Sequence, residues 1–230
     1  MAVASLVLAA GAGGQVMGAM IIIDDFSGGW TIHPTLSQLD TTLTKAESGY
    51  ATTSVIGGSR NTAYTPHNAG GATGTSGVDL YLEGPTPNWC NLVNGTKTWS
   101  EFTMTYDGGG GTGGLNLNLT GGTKFSVDIY TDHVGNGGYS SLMSITLNDG
   151  SNVKTVSQAL SVGAPITYDI LFSGFTGVNL ANIDSIAFHL QTDKAGDYNV
   201  VAPLTADIPE PATLLLLALG GLAMLRRRRK

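Results

Sequence analysis

The chain has one cysteine, Cys90, in 230 residues. A single thiol closes no internal disulfide, so stability has to come from a buried core. The plain role for such a residue is that of a small buried hydrophobe. Charge is also scarce: 12% of residues are charged, against about 25% in an average globular protein. Cations are the scarcer sign. No lysine or arginine precedes Lys45, and from Met20 to Ile208 there are 16 acidic and 6 basic residues, a net charge of 6 − 16 = −10. So acidic a body argues against nucleic acid as a partner and against electrostatic adhesion to anionic lipid. Hydrophobic residues still make up 42%, which excludes a disordered acidic segment.

Catalytic signatures are missing too. The sequence contains no G-x-S-x-G elbow, no H-E-x-x-H and no phosphate loop ending in Lys-Ser/Thr. Gly108–Gly113 fits G-x-G-x-x-G, but a dinucleotide site needs a helix after it. Here the strand-like Leu115–Leu119 follows, so the run reads as a loop. His33, His67, His133 and His189 are far apart, and none pairs at metal-ligand spacing. No catalytic residue is assigned, and no cofactor is expected.

What is present is alternation. Phe102, Met104 and Tyr106 interleave with Thr103 and Thr105; Phe125, Val127 and Ile129 with Ser126 and Asp128; Ile186, Phe188 and Leu190 with Ala187 and His189. Leu115, Leu117 and Leu119 follow the same rule. A period of two buries one face of a strand and wets the other. Further strands are expected at Ile21–Phe26, Tyr50–Ile56, Val78–Leu82, Met143–Leu147, Val153–Ala159, Ile166–Phe172 and Asn199–Ala202. Glycine, with 33 residues, runs at about twice its usual share of roughly 7% and punctuates these segments. Asn148-Asp149-Gly150-Ser151 reads as a hairpin turn. One short helix is expected around Leu36–Glu47. About ten short strands imply an all-β fold, an antiparallel β-sandwich of jelly-roll arrangement, spanning residues 20–206.

The two ends differ from this body. Ala2–Ala12 is apolar and is followed by small residues, the pattern of a signal peptide over residues 1–19, cut after Ala19 or alternatively after Ala12. It lacks a basic start, so the true start codon is expected upstream of Met1. At the other end Pro209-Glu210-Pro211 precedes an unbroken apolar and small-residue run, Ala212–Leu225, and then Arg226, Arg227, Arg228, Arg229 and Lys230. The 14 residues of Ala212–Leu225 make a helix of roughly 21 Å, short of a hydrocarbon core of about 30 Å. The terminal cations offset the shortfall, because Arg and Lys stems lie along lipid while their heads reach the interface. They also hold the terminus on the cytoplasmic side. An unprocessed single-span anchor is the alternative.

This tail resembles the PEP-CTERM sorting signal of Gram-negative bacteria: Pro209, Glu210 and Pro211 as sorting motif, a transmembrane helix over 212–225 and a basic stop cluster, the whole over 207–230. The resemblance implies recognition by an exosortase, an integral-membrane cysteine protease that cuts at or near the motif. It also implies transient residence in the inner membrane, arrival at the cell surface or extracellular space, and an exopolysaccharide matrix as surroundings. Asp24-Asp25-Phe26, Gly57-Gly58-Ser59-Arg60 and Ile183–Phe188 resemble segments of exported PEP-CTERM proteins and of galactose-binding-like jelly rolls, including carbohydrate-binding modules, which implies a sandwich of galactose-binding-like type whose concave face or rim loops hold sugar.

Three groups of residues are candidates for ligands. Asp128, Tyr130 and Asp132 share the polar face of one strand, where an aromatic between carboxylates suits a sugar ring. Trp30, Trp89 and Trp99 are further sugar platforms. Asp24 and Asp25 are candidate hard-oxygen ligands for a structural calcium. The expected function is therefore that of an exported, exosortase-processed surface or matrix protein without catalytic activity, with a carbohydrate-binding module that attaches to exopolysaccharide as the alternative.

Overall fold

The computed structural model describes residues 19–26, 34–71, 79–83, 89–95, 97–109, 114–131, 141–193, 196–200 and 203–208. They form thirteen strands: β1 (Ala19–Asp24), β2 (Leu43–Ser48), β3 (Ser59–Asn68), β4 (Asp79–Glu83), β5 (Trp89–Asn94), β6 (Thr98–Tyr106), β7 (Lys124–Thr131), β8 (Leu142–Asn148), β9 (Val153–Ala159), β10 (Gly163–Leu171), β11 (Ser185–Gln191), β12 (Gly196–Val200) and β13 (Leu204–Ile208). The compact unit runs from Met20 to Ile208. The expected signal peptide, apart from Ala19, and the expected helix over 212–225 lie outside the described residues. Among the described residues no helix is long and apolar enough to cross a membrane.

The strands make two sheets. Sheet I has the order β1-β13-β7-β12-β5-β4, with β10 also paired to β7. β12 and β13 follow each other along one edge of β7, meeting Thr131–Ile129 and Ser126–Lys124 respectively, while β10 covers the other edge. Sheet II has the order β2-β3-β6-β11-β8-β9. From β5 onward the chain passes back and forth between the sheets: β5 in I, β6 in II, β7 in I, β8 and β9 in II, β10 in I, β11 in II. That wrapping is a jelly-roll sandwich.

The alternating apolar residues fill the space between the sheets. Phe102, Met104 and Tyr106 of β6, Phe125, Val127 and Ile129 of β7, and Ile186, Phe188 and Leu190 of β11 are all buried. Their rings meet edge-on, Phe102 with Phe188 at 5.8 Å and Phe125 with Phe172 at 4.8 Å between centroids. A polar knot closes one region of this core. Ser100 donates to Asn94 Oδ1 at 2.6 Å, Asn94 Nδ2 donates to Thr192 Oγ1 at 3.1 Å, and Thr192 Oγ1 donates back to the Ser100 carbonyl at 2.9 Å. Each buried polar atom in that loop has a partner, which is the condition for tolerating it there.

A charged cluster joins the two sheets. Arg60 of β3 is fully buried. Its Nη1 lies 3.0 Å from both oxygens of Asp24, at the end of β1, and its Nε donates to Glu47 of β2 at 3.0 Å. Asp24 also accepts from the Tyr106 hydroxyl at 2.9 Å and the Phe26 amide at 2.7 Å. Tyr50 covers the guanidinium, 4.9 Å from its ring centroid. Burial alone would raise the Glu47 carboxyl, but the hydrogen bond and charge of Arg60 outweigh it and hold the group below its ordinary value.

Three sequence expectations change. The helix around Leu36–Glu47 is a single 3₁₀ turn, Leu36–Gln38, followed by β2. Gln38 Oε1 accepts from Thr35 N at 2.8 Å, but Asp40 then takes a left-handed φ of 61° and the threonine-rich continuation prefers a strand. Tyr50–Ile56 forms turns, with Ser54 and Val55 amides both bonding the Ala51 carbonyl, and only Val55 bridges Asp24. Leu115–Leu119 is not a regular strand either. Asn116 sits at φ 49°, which leaves one bridge, Leu117 to Ile183. The hairpin at Asn148–Ser151 forms as expected, joining β8 to β9.

Asp149 organises that hairpin. It accepts the amides of Asn179 at 2.6 Å, Asn152 at 2.6 Å and Ser151 at 2.8 Å. These three N–H groups hold its carboxyl well below the usual range. A carboxylate depressed on folding contributes stability that is present above the unfolded value and lost as pH falls through the folded one. Asp149→Asn is therefore expected to lower the urea midpoint at pH 7, with the difference from wild type shrinking below about pH 4. A difference that stays constant between pH 7 and pH 3 contradicts this. The Arg60 cluster gives a larger effect. Arg60→Met leaves Asp24 buried without its cation and is expected to cost about 3–5 kcal/mol in urea unfolding, part of which Asp24→Leu restores in the double variant.

Candidate ligand-binding face

The outer face of sheet II carries the side chains that alternate with the core. Register places His67 of β3 opposite Trp99 of β6, and Thr103 of β6 opposite His189 of β11. Glu101 lies between those two positions on β6. The His67 and Trp99 rings stack at 3.8 Å with 16° between their planes. His67 Nδ1 lies 3.2 Å from Asp40 Oδ1 and its Nε2 lies 3.4 Å from Glu101 Oε1. The other Glu101 oxygen is 3.8 Å from His189 Nε2, and His189 Nδ1 shares a 2.9 Å hydrogen bond with Thr103 Oγ1. Burial pushes His189 below its ordinary value, with the Glu101 charge opposing. A chain of polar contacts thus runs from Asp40 through His67, Glu101 and His189 to Thr103, beside a half-buried indole.

The histidines lie far apart in sequence, and the fold brings two of them together. His67 and His189 converge on one carboxylate because β3, β6 and β11 are neighbours in sheet II. The local signal was present: each lies at an outward position of an alternating strand. Strand order, which sequence alone does not give, brings them together. His33 and His133 lie outside the described residues.

The other candidates fall elsewhere. Asp128 and Tyr130 occupy the outer face of sheet I on β7, and Asp132 lies outside the described residues. Asp128 Oδ1 accepts from Thr167 of β10 at 2.7 Å. Along the same face Asp169 accepts from Lys124 at 2.8 Å and Ser126 at 2.6 Å. Contact with these two groups outweighs burial and lowers the Asp169 carboxyl. This strand face is already cross-linked by hydrogen bonds between β7 and β10. Trp30 and the Trp89 side chain lie outside the described residues. Asp24 has both oxygens engaged by Arg60, and the Asp25 amide donates to the Ser54 carbonyl at 2.8 Å. Among the described residues no group of three acidic, histidine or cysteine side chains is placed to hold a metal ion. Cys90 is fully buried, and burial pushes its thiol far up, away from the reactive thiolate.

The sorting residues Pro209, Glu210 and Pro211 and the terminal cations lie outside the described residues. What is visible is their attachment point. β13 ends at Ile208, held by the Thr123 amide on the Asp207 carbonyl at 2.9 Å and by Thr123 Oγ1 on Asp207 Oδ2 at 2.7 Å. Gly122 permits this approach, since a Cβ there would collide with the Phe172 ring and the Asp207 carbonyl.

The family model of the PEP-CTERM protein-sorting motif matches residues 207–230. The chain ends in a PEP-CTERM sorting signal. This PEP-CTERM tail marks the chain as a target of exosortase, passing through a membrane-anchored stage on the way to the cell surface. No curated protein sequence matches the chain. Among solved structures, it is similar to a family 11 carbohydrate-binding module from Clostridium thermocellum in complex with a β-1,3-1,4-mixed-linked tetrasaccharide. That match has 16% identity and a TM-score of 0.40, covering 86% of this chain and all of the other (100%). It is also similar to the xylan-binding module CBM15, at 8% identity and a TM-score of 0.39, covering 80% and 100%. A third is the CBM22-1 xylan-binding domain of Paenibacillus barcinonensis Xyn10C, at 7% identity and a TM-score of 0.37, covering 86% and 100%.

Proposed function

We propose that this chain is an exported, exosortase-processed β-sandwich that acts at the surface or in the extracellular matrix of a Gram-negative bacterium, without catalysis. The observation that carries this reading is the continuity of fold and signal. The sorting match begins at Asp207, inside β13, and Pro209 follows directly after the last residue of the sandwich. A cut at the Pro-Glu-Pro motif releases a body that is already complete at its last strand. The tail then serves as a temporary address: the apolar run holds the chain in the inner membrane, and the cationic end fixes its orientation. Glu210→Ala, or deletion of Arg226–Lys230, is expected to leave the protein in the membrane fraction with its tail uncut, whereas wild type loses the tail and leaves that fraction. Variants that fractionate and migrate like wild type contradict the reading.

A second reading, attachment to exopolysaccharide, draws support from the outer face of sheet II. An indole with an imidazole stacked on it and the Glu101 carboxylate alongside offers both an apolar ring surface and directed hydrogen bonds to a sugar. The Asp128–Tyr130 face of sheet I is the competing location, together with Asp132. Affinity electrophoresis in neutral glycans separates the two. Retardation lost in Trp99→Ala and kept in Tyr130→Ala assigns sheet II, and the reverse assigns sheet I. No retardation of wild type contradicts the polysaccharide reading and leaves the surface protein alone.

A further inference from the structure

β9 ends sheet II, and among the described residues it pairs only with β8. Six of its seven residues are exposed, Val153 at 67%. Two other edges of the sandwich are guarded. On the opposite edge of sheet II, β2 turns Lys45 and Glu47 inward. In sheet I, β10 has a bulge between Gly163 and Ile166, with Pro165 inside it. Inward charges, bulges and prolines keep foreign strands off an edge. β9 has an unbroken register with β8 and no proline, and its one charge, Lys154, sits near one end.

The phase of the ladder identifies the backbone groups on the open side. The Leu160 amide donates to the Ser141 carbonyl at 3.0 Å, and the Asp149 amide to the Asn152 carbonyl at 3.1 Å. Both bonds continue the β8–β9 register at its two ends. Bonded and non-bonded pairs alternate along an antiparallel ladder. Lys154, Val156 and Gln158 therefore bond β8, while Val153, Thr155, Ser157 and Ala159 turn their amides and carbonyls to solvent. The 2.7 Å contact between Thr146 Oγ1 and Thr155 Oγ1 agrees, because side chains approach more closely in a non-bonded pair.

We infer that β9 is a self-association edge, on which a second copy of this chain pairs its own β9 antiparallel about Val156. In that register Thr155 meets Ser157 of the second copy and Val153 meets Ala159. Each residue with an open backbone then faces another of the same four, and two bonds in each of four pairs make eight. Lys154 faces Gln158 of the second copy. Sliding the strands toward the turn sets Lys154 against Lys154, so the single charge selects the register. Seven residues a side is far below the roughly 20–30 of a standard interface, so the dimer forms where the protein is concentrated, as on a surface. Each body carries a net charge of −10, so salt favours the pairing by screening. The two-fold axis stands perpendicular to the sheet. Two six-stranded sheets thus become one, with both Trp99–Glu101 faces on the same side, about seven strand spacings or roughly 34 Å apart. Bivalent grip on one glycan chain follows from this and rests on the polysaccharide reading of sheet II; the pairing itself does not.

Sedimentation equilibrium of the tail-free body, Met20–Ile208, which is the compact unit of the fold, reads the pairing. Expected is a monomer–dimer equilibrium with a midpoint between about 10 µM and 1 mM, shifted toward dimer by salt. Ser157→Pro is expected to stay monomeric throughout. It removes an amide that faces away from β8, so the β8–β9 ladder survives. A monomeric wild type, or a Ser157→Pro variant that pairs like wild type, overturns the edge. Cysteine variants read the register without proline, since the native Cys90 is buried. Val156 meets its own copy in a non-bonded pair about 4.5 Å apart at Cα, within reach of a disulfide. With oxidised glutathione, Val156→Cys is expected to link into a dimer. Lys154→Cys links only when mixed with Gln158→Cys. A Val156→Cys variant that stays monomeric, or Lys154→Cys that links to itself as readily, overturns the register. Affinity electrophoresis in mixed-linkage β-glucan and in xylan then compares the linked Val156→Cys dimer with the same protein reduced. Expected is retention at least about tenfold stronger for the dimer. Equal retention overturns the bivalent grip. Retention of neither form overturns the polysaccharide reading and leaves the pairing standing.

Discussion

A buried guanidinium sets the terms for this sandwich. Arg60 belongs to sheet II, Asp24 to β1 of sheet I, and Tyr106 reaches Asp24 from sheet II. With so few charges in the chain, placing three of them in and beside the core is a strong constraint. Taking the pair out of water is unfavourable, and the attraction offsets that only when every donor and acceptor is met. Here the carboxylate takes the guanidinium, a phenol hydroxyl and a backbone amide, and the guanidinium takes a second carboxylate, Glu47, on its other edge. The requirement fixes where β1 ends relative to β3 and β6. Apolar packing alone tolerates sliding of one sheet over the other, whereas a buried guanidinium nitrogen shared between both oxygens of one carboxylate does not.

The strands with clean alternation were legible from sequence: β6, β7 and β11 lie where the pattern of Phe, Met, Val and Ile put them, and Val153–Ala159 matches β9. β3 was not legible. Its inward residues are Arg60, Thr62, Tyr64 and Pro66, so the buried face looks polar until the partners of Arg60 are known. β2 was hidden by a helix-compatible stretch that Asp40 interrupts with a left-handed backbone. β13 was hidden for a different reason. It runs straight into the sorting signal, and a five-residue strand beside such a tail has no boundary of its own. The Asp24–Arg60 contact joins two of the motifs singled out in sequence, Asp24-Asp25-Phe26 and Gly57-Gly58-Ser59-Arg60, and gives them a structural task in common.

The functional information divides between the same two levels. The sorting address is linear, carried by residue types in order, and needs no fold to be read. The face at His67, Trp99, Glu101 and His189 exists only through strand order, because the two histidines come from β3 and β11 on either side of β6. Nothing in local spacing announces it. The two levels meet at Asp207, where the last strand of the sandwich and the first residue of the sorting match coincide.

Intact mass spectrometry of the protein recovered from the cell surface or medium tests the central claim most directly, because it reads both ends of the chain and any attached group at once. A mass that ends within or beside Pro209–Pro211, lacking the apolar run and the arginines, is the expected result. A surface-recovered protein that still carries Arg226–Lys230 contradicts it.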